Sequence, residues 1–272
     1  MTNRVAFLTT IFPMNPEYLF VFFTSLQKQT YQQFDVIVVN DGYEGLEVLR
    51  KKFSTLNIIE LKHSGSPAKN REHGINYVID HEYSIIVFGD SDDYFDHDRV
   101  QVSVEKLNNC DVLVNDLALF NEDGVYQQKY ISNRIQDGFQ VDIEFIKDKN
   151  IFGLSNTALK VALLDSERVY FSQDLVAVDW YFYTKLLLLE NTKAIFTNKI
   201  QTYYRQYGAN TIGMGEASKE VFQKTRLVKR KHYALLAESN RCFKKLYDDE
   251  KKVKNHFNLR EKQLKTPLWW EC

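Results

Sequence analysis

This chain of 272 residues has little cysteine and no long apolar run. Cys110, Cys242 and Cys272 are scattered and odd in number, so neither a disulfide framework nor a zinc-ligand spacing forms. A reducing, cytoplasmic setting is the simplest expectation. No uninterrupted hydrophobic segment reaches bilayer length. The opening "MTNRVAFLTTIFPMNPEY" holds a short apolar stretch without a small-residue cleavage site, and reads as a strand rather than a leader. No P-loop occurs, and no G-x-G-x-x-G follows the first strand, which removes the Walker and dinucleotide readings. Internal repeats and low-complexity linkers are also missing.

Net charge is scarce too, at −1, but it is unevenly spread. Residues 216–272 carry 15 Lys/Arg against 8 Asp/Glu, a balance of +7, so the remainder stands at −8. A basic appendage on an acidic body points to an anionic partner for the tail, such as a membrane surface. A nucleic-acid module is disfavoured, because aromatics do not interleave with basic residues along a strand platform.

What is present is a β-α-β-α alternation. "RVAFLTTI", "FDVIVVND", "NIIELK", "YSIIVFGD" and "CDVLVNDLALF" read as strands. The near-continuous Val/Ile run of the second marks a parallel strand covered on both faces. "PEYLFVFFTSLQKQT", "GLEVLRKKFS", "PAKNREHGINYVIDH" and "DRVQVSVEKLNN" read as the intervening helices, two of them opening on proline. The expected fold is α/β, a doubly wound, mostly parallel sheet. The second half is less regular. "VDIEFIKDKN" and "DLVAVDWYFYTKLLLLE" are expected to be helical, "IFGLSNTALK" and "KAIFTNKIQTYYRQYG" to be strands, and the stretch after about Gly215 to be long basic helix.

Ligands in such sheets sit at the carboxyl ends of the strands. Three of those ends are polar and contain glycine: "NDG" at Asn40–Gly42, "HSGSPAKNR" after Lys62, and "GDSDD" after Phe88. In the last, Asp90, Asp92, Asp93 and Asp96 crowd together. Carboxylates so close are costly unless water or a positive charge lies among them. An Asp-x-Asp spacing suits a hard divalent cation held by one or two carboxylates plus substrate phosphates. Its bland alternative is a solvated turn, with Asp96 or Asp98 capping the next helix.

Five segments then resemble one family in order: "FFTSLQKQTYQQFDVIVVNDG", "GSPAKNREHGI", "VFGDSDDYF", "VAVDWYFYTKL" and "YYRQYGANT". Together they look like a family 2 glycosyltransferase of the GT-A fold over roughly residues 4–213. The resemblance implies a catalytic domain at residues 1–214, with a nucleotide-sugar half to residue 120 and an acceptor half from 121. A basic helical extension would occupy 215–272. It implies a nucleotide-sugar donor, with UDP-sugar first in expectation, and a Mn²⁺ or Mg²⁺ cofactor. It further implies a glycan or lipid-linked acceptor, and a bacterial surface-glycan role near the inner face of the membrane.

By the same resemblance, Asp41 accepts from the base or ribose. Thr10, Phe12, Lys69, Asn70, Asp90, Ser91 and Arg205 contact the donor, and Tyr204 helps close the site. Asp92 holds the metal and Asp93 supports it. Asp179 is the base, with Asp174 its nearest rival, and Ser155, Asn156 and Trp180 border the acceptor. The chain departs from the family pattern at Lys69 (commonly Arg), Val178 (Glu) and Tyr207 (His). The plain structural readings are a turn residue for Asp41, a solvated first-turn Lys69, and a helix cap for Asp179. His63, His73 and His81 read as surface or packing residues, and the tail as a helical pair packed on the body. Two rival functions are carried. A sugar-nucleotidyltransferase would want a Gly-rich, Arg/Lys loop where "TTIFPMNPEY" stands, and a non-catalytic nucleotide-sugar binder is suggested by Val178 and Tyr207.

Overall fold

A computed structural model describes residues 4–164, 169–173, 175–207 and 219–252, with side chains from residue 222 in the last segment. The chain begins β1 (Val5–Ile11), α1 (Pro16–Gln27), β2 (Phe34–Asn40), α2 (Leu46–Lys52), β3 (Asn57–Lys62), α3 (Pro67–Asp80) and β4 (Ile85–Phe88). β5 (Tyr94–Phe95), α4 (Arg99–Lys106), β6 (Val112–Asn121), β7 (Gly124–Gln127), β8 (Gln140–Val141) and α5 (Ile143–Ile146) follow. The rest is β9 (Thr157–Lys160), α6 (Val178–Leu187), β10 (Ala194–Arg205), α7 (Lys219–Ala237) and α8 (Arg241–Lys252).

The sheet order is β3-β2-β1-β4-β9-β6-β10-β5, with β7 beside β6 and β8 beside β10. The long pairings, β1 with β2 and β4, β2 with β3, and β6 with β10, are parallel. Short β9 runs antiparallel between β4 and β6 and joins the two halves. Alternation along the parallel strands decides what each face covers. Val5, Phe7, Val36, Val38, Ile85 and Val87 pack on Phe22, Phe23, Leu46 and Val100 of α1, α2 and α4. Ala6, Leu8, Ile37, Val39, Ile86 and Phe88 pack on Ala68, Ile75 and Val78 of α3 and on Val178, Phe182 and Leu186 of α6. Both faces are therefore dry, which is why these strands read as continuous apolar runs.

Local chemistry sets the helix starts nearest the strand ends. Asn15 caps α1 by accepting from the Glu17 N–H, and Ser66 caps α3, each followed by a proline at the first helical position. Gly74 lets α3 lie close to the sheet, since a Cβ there would come within 2.7 Å of Leu8. Gly42, at φ +86°, supplies the left-handed residue that turns the chain after β2.

The second half departs from the expected elements. The strand expected over 151–160 begins only at Thr157, because Leu154–Asn156 form a 3₁₀ turn in which Asn156 Oδ1 accepts the Gly153 N–H at 2.7 Å. The helix expected over 141–150 shrinks to α5, because Val141 pairs with Ala194 in the sheet and Asp142 caps at Phe145 N. α6 opens at Val178, four residues inside the expected stretch. Short β5, β7 and β8 carry too few residues to show a period.

α7 and α8 pack against α6. Trp180, Val228, Tyr233, Leu236 and Phe243 form one buried cluster. Arg226 Nε donates to Glu250 at 2.6 Å and ties the two tail helices. Within the cluster the His232 ring lies flat on Trp180, centroids 3.6 Å apart and planes 5° apart. Neither His232 nitrogen has a hydrogen-bond partner, and burial pushes its pKa down to about 3. Below the ordinary pKa near 6.5, the unfolded chain binds a proton that the folded one refuses. Stability at this residue is thus lost as pH falls from about 6.5 toward 3. His232→Phe is expected to raise stability by about 1–3 kcal/mol, and by more at pH 5 than at pH 8. Thermal unfolding at the two pH values checks it, and an unchanged or lower midpoint at both would refute it.

Candidate active site

The three polar strand ends meet at the carboxyl edge of the sheet. Asp41, just past β2, receives Asn70 Nδ2 on its Oδ2 at 2.8 Å. That hydrogen bond holds the Asp41 carboxyl below its usual range. From α3, Arg71 reaches across to Asp90 at the end of β4, 3.3 Å away. Thr10, Arg71, Gly89, Asp90 and Leu154 line one small open hollow. Phe12, next to this edge, is 48% exposed, an aromatic face open to a ligand.

The crowded carboxylates are relieved by hydroxyl and backbone donors, with guanidinium groups close by. Arg205, at the end of β10, donates from Nε to the Asp92 carbonyl at 2.7 Å and from its backbone N–H to Asp93 Oδ1 at 2.9 Å. Its guanidinium lies between the Tyr18 and Phe120 rings, 4.1 and 4.4 Å away. Arg99, fully buried beneath the loop, donates to Asn115 Oδ1 at 3.0 Å and to the Phe88 carbonyl at 2.8 Å. Burial lowers its pKa to about 9, and the nearby Asp93 charge opposes that fall. Asp93 is itself fully buried and accepts from Ser155 Oγ, and burial, then Asp92, push its carboxyl well up. Burial first and Asp90 second raise the Asp92 carboxyl. Tyr207, standing where the family pattern has His, donates its hydroxyl to Asp92 Oδ2 at 2.7 Å.

No cluster of three or more His, Cys, Asp or Glu side chains of metal-binding geometry occurs among the described residues. Tyr207 engages one oxygen of Asp92 and Arg71 one oxygen of Asp90, so each carboxylate keeps a second oxygen. With Asp92 raised by burial and by the Asp90 charge, the pair fits a hard cation held by one or two carboxylates and completed by substrate phosphates.

Asp179 lies in the first turn of α6, partly buried. Desolvation raises its pKa to about 6, opposed by the Trp180 N–H, which donates to its Oδ1 at 2.7 Å, and by the charge of Arg71. Asn150 also donates to it, and the Asn150 amide is oriented because its Oδ1 accepts the Phe152 N–H at 3.0 Å. A carboxylate tuned near 6 and sharing Arg71's field with Asp90 is equipped to take a proton near neutrality.

Other expected residues lie elsewhere or serve the scaffold. Lys69 is held by both oxygens of Glu72, at 2.9 and 2.8 Å, and lies 4.1 Å over the Tyr170 ring. Arg71 is therefore the α3 cation beside Asp90, and its position directly after Asn70 was the available signal. Ser91 Oγ donates to the Thr10 carbonyl at 2.8 Å, joining β1 to the acidic loop. Ser155 braces that loop by accepting the Asp90 N–H at 3.2 Å. Asn156 is buried and donates to the Asn115 and Ile151 carbonyls. Trp180 is fully buried, with Nε1 on the Ile146 carbonyl at 2.8 Å, and faces the tail helices. Tyr204 is partly buried in β10. His81 stacks on Tyr77. Asp174, the "GANT" stretch at 208–211, and the terminal Trp269 and Trp270 lie outside the described residues.

Residues 14–159, just over half of the chain, match glycosyl transferase family 2. No curated protein matches the chain. Among solved structures, S. aureus TarS 1–349 in complex with UDP-GlcNAc superimposes with a TM-score of 0.66 at 20% identity, covering 91% of this chain and 71% of that one. The same protein in complex with UDP gives 0.64 at 20% identity, covering 92% and 70%. The longer S. aureus TarS chain gives 0.61 at 21% identity, covering 85% and 39%. At such identities the likeness speaks for the fold. The chain belongs to glycosyl transferase family 2, and its fold is the mixed α/β, GT-A-like sheet of those enzymes. No described helix is long and apolar enough to cross a membrane.

Proposed function

We propose that the chain moves a sugar from a UDP-sugar to an acceptor hydroxyl with inversion at the anomeric carbon. The supporting observation is the gathering of polar groups along one sheet edge: Asp41 and Asn70 at one strand end, and Arg71, Asp90, Asp92 and Arg205 around another, with Asp179 tuned to about 6 within Arg71's field. Asp41 accepts from the base or ribose, and Phe12 and Thr10 lie along the same edge. The anomeric carbon–oxygen bond to the diphosphate breaks with oxocarbenium character. Arg71 and Arg205 oppose the charge that gathers on the departing diphosphate. Asp179 takes the acceptor's proton as its oxygen attacks from the opposite face. When bound at Asp92, Mn²⁺ or Mg²⁺ would neutralise diphosphate charge. The acceptor is a glycan or a lipid-linked glycan of the bacterial surface, approached with the basic tail against an anionic membrane face.

A panel of nucleotide sugars, read by release of nucleoside diphosphate, tests this reading. Release from a UDP-sugar supports it. Release of pyrophosphate from a sugar phosphate and a nucleoside triphosphate would instead favour nucleotidyl transfer. The metal assignment has its own test. Asp92→Ala is expected to weaken Mn²⁺-dependent UDP binding about tenfold or more by calorimetry, and an unchanged titration would remove Asp92 as ligand.

A further inference from the structure

The loop after β3 and the second turn of α3 place His63 against Asn70, Nδ1 to Oδ1 at 2.7 Å. Which atom donates follows from the far side of the same amide. Asn70 Nδ2 donates to Asp41 Oδ2, and an ionised carboxylate can only accept. Asn70 Oδ1 must therefore face His63, and His63 must carry its proton on Nδ1. The chain of donors runs one way: His63 to Asn70 to Asp41. Asn70 is buried, and Nδ2 also approaches the Gly65 carbonyl at 3.4 Å. The His63 ring is fixed in turn by stacking on His73, centroids 4.4 Å apart and planes 16° apart.

We propose that His63 is a positioning residue for nucleobase selection: it locks the Asn70 amide so that Asp41 presents a fixed, acceptor-only edge to the base. The proposal rests on the nucleotide-sugar reading above and deepens it. Without the Nδ1 donor, the buried Asn70 Oδ1 loses its partner, and the amide that holds Asp41 is fixed from the Nδ2 side alone. An acceptor-only edge suits a base bearing a ring N–H, such as the uracil imide. It repels the N3 lone pair that cytosine presents at the equivalent place. A site built to pair one polarity discriminates strongly against the other.

The experiment is titration of UDP and CDP, each with Mn²⁺, into wild type, His63→Phe and His63→Gln. Phe keeps a ring to stack on His73 but cannot donate, whereas the Gln amide can. Wild type is expected to favour UDP over CDP about tenfold or more, His63→Phe to lose about tenfold in UDP affinity and most of that preference, and His63→Gln to keep both within about threefold. A purely structural role would lower the melting temperature without moving the UDP-to-CDP ratio. An unchanged ratio in a folded His63→Phe protein overturns the inference and leaves the transferase reading standing. Failure of wild type to bind any nucleoside diphosphate overturns both. Should His63→Phe not fold, His63→Ala reads the same ratio.

Discussion

Asp179→Asn is expected to lower the transfer rate by about 10²–10⁴-fold while leaving UDP affinity within about twofold. Asparagine keeps the shape and still accepts the Trp180 N–H that now reaches Asp179 Oδ1 at 2.7 Å. It cannot take a proton. In the wild-type protein the desolvated carboxyl titrates at about 6, so it is ionised and active above that pH. Transfer efficiency should therefore rise through pH 6 on the acid side, and the limb should vanish in the variant. Single-turnover rates across pH, beside calorimetric UDP binding, read both. Loss of binding together with transfer would make Asp179 a structural cap.

The second large effect concerns Arg99. It is fully buried, donates to Asn115 Oδ1 and the Phe88 carbonyl, and is the cation beneath the fully buried Asp93. Arg99→Met removes those bonds and leaves Asp93 with less positive charge nearby. Stripping one partner from a buried charge arrangement costs about 3–5 kcal/mol. For a chain of this size that lowers the melting temperature by on the order of 10 °C. Pairing the change with Asp93→Asn removes the stranded charge and should recover part of the loss, a coupling that a double-mutant cycle isolates. A single-variant midpoint within about 2 °C of wild type would show that Arg99 does not hold the acidic loop.

Both predictions rest on residues that differ in how visible they were. The helix that carries Asp179 was legible from its aromatic spacing, and the proposed role of Asp179 comes from the resemblance. Arg99 was not, because an arginine three residues after Asp96 reads as an exposed first-turn residue until the fold places it under the sheet edge. The same divide runs through the fold. β1, β2 and β4 were legible because both faces are buried and each strand is mostly apolar. The junction at β9 was not, since Asn156 spends its side chain on backbone groups and turns an expected strand into a turn and a short ladder. Lys69 and Arg71 sit two positions apart on α3, and only packing shows that Glu72 claims the first while Asp90 faces the second. His63, read as a packing residue, touches Asn70, which in turn holds Asp41, and that chain depends on parallel strands brought together from distant sequence.

The central claim is that separate strand ends grip one nucleotide diphosphate. Amide hydrogen exchange with and without UDP and Mn²⁺ tests it directly. Slowed exchange confined to residues 40–43, 63–71 and 89–93 together is the expected result. Protection at only one of these segments, or on a surface remote from all three, would contradict it.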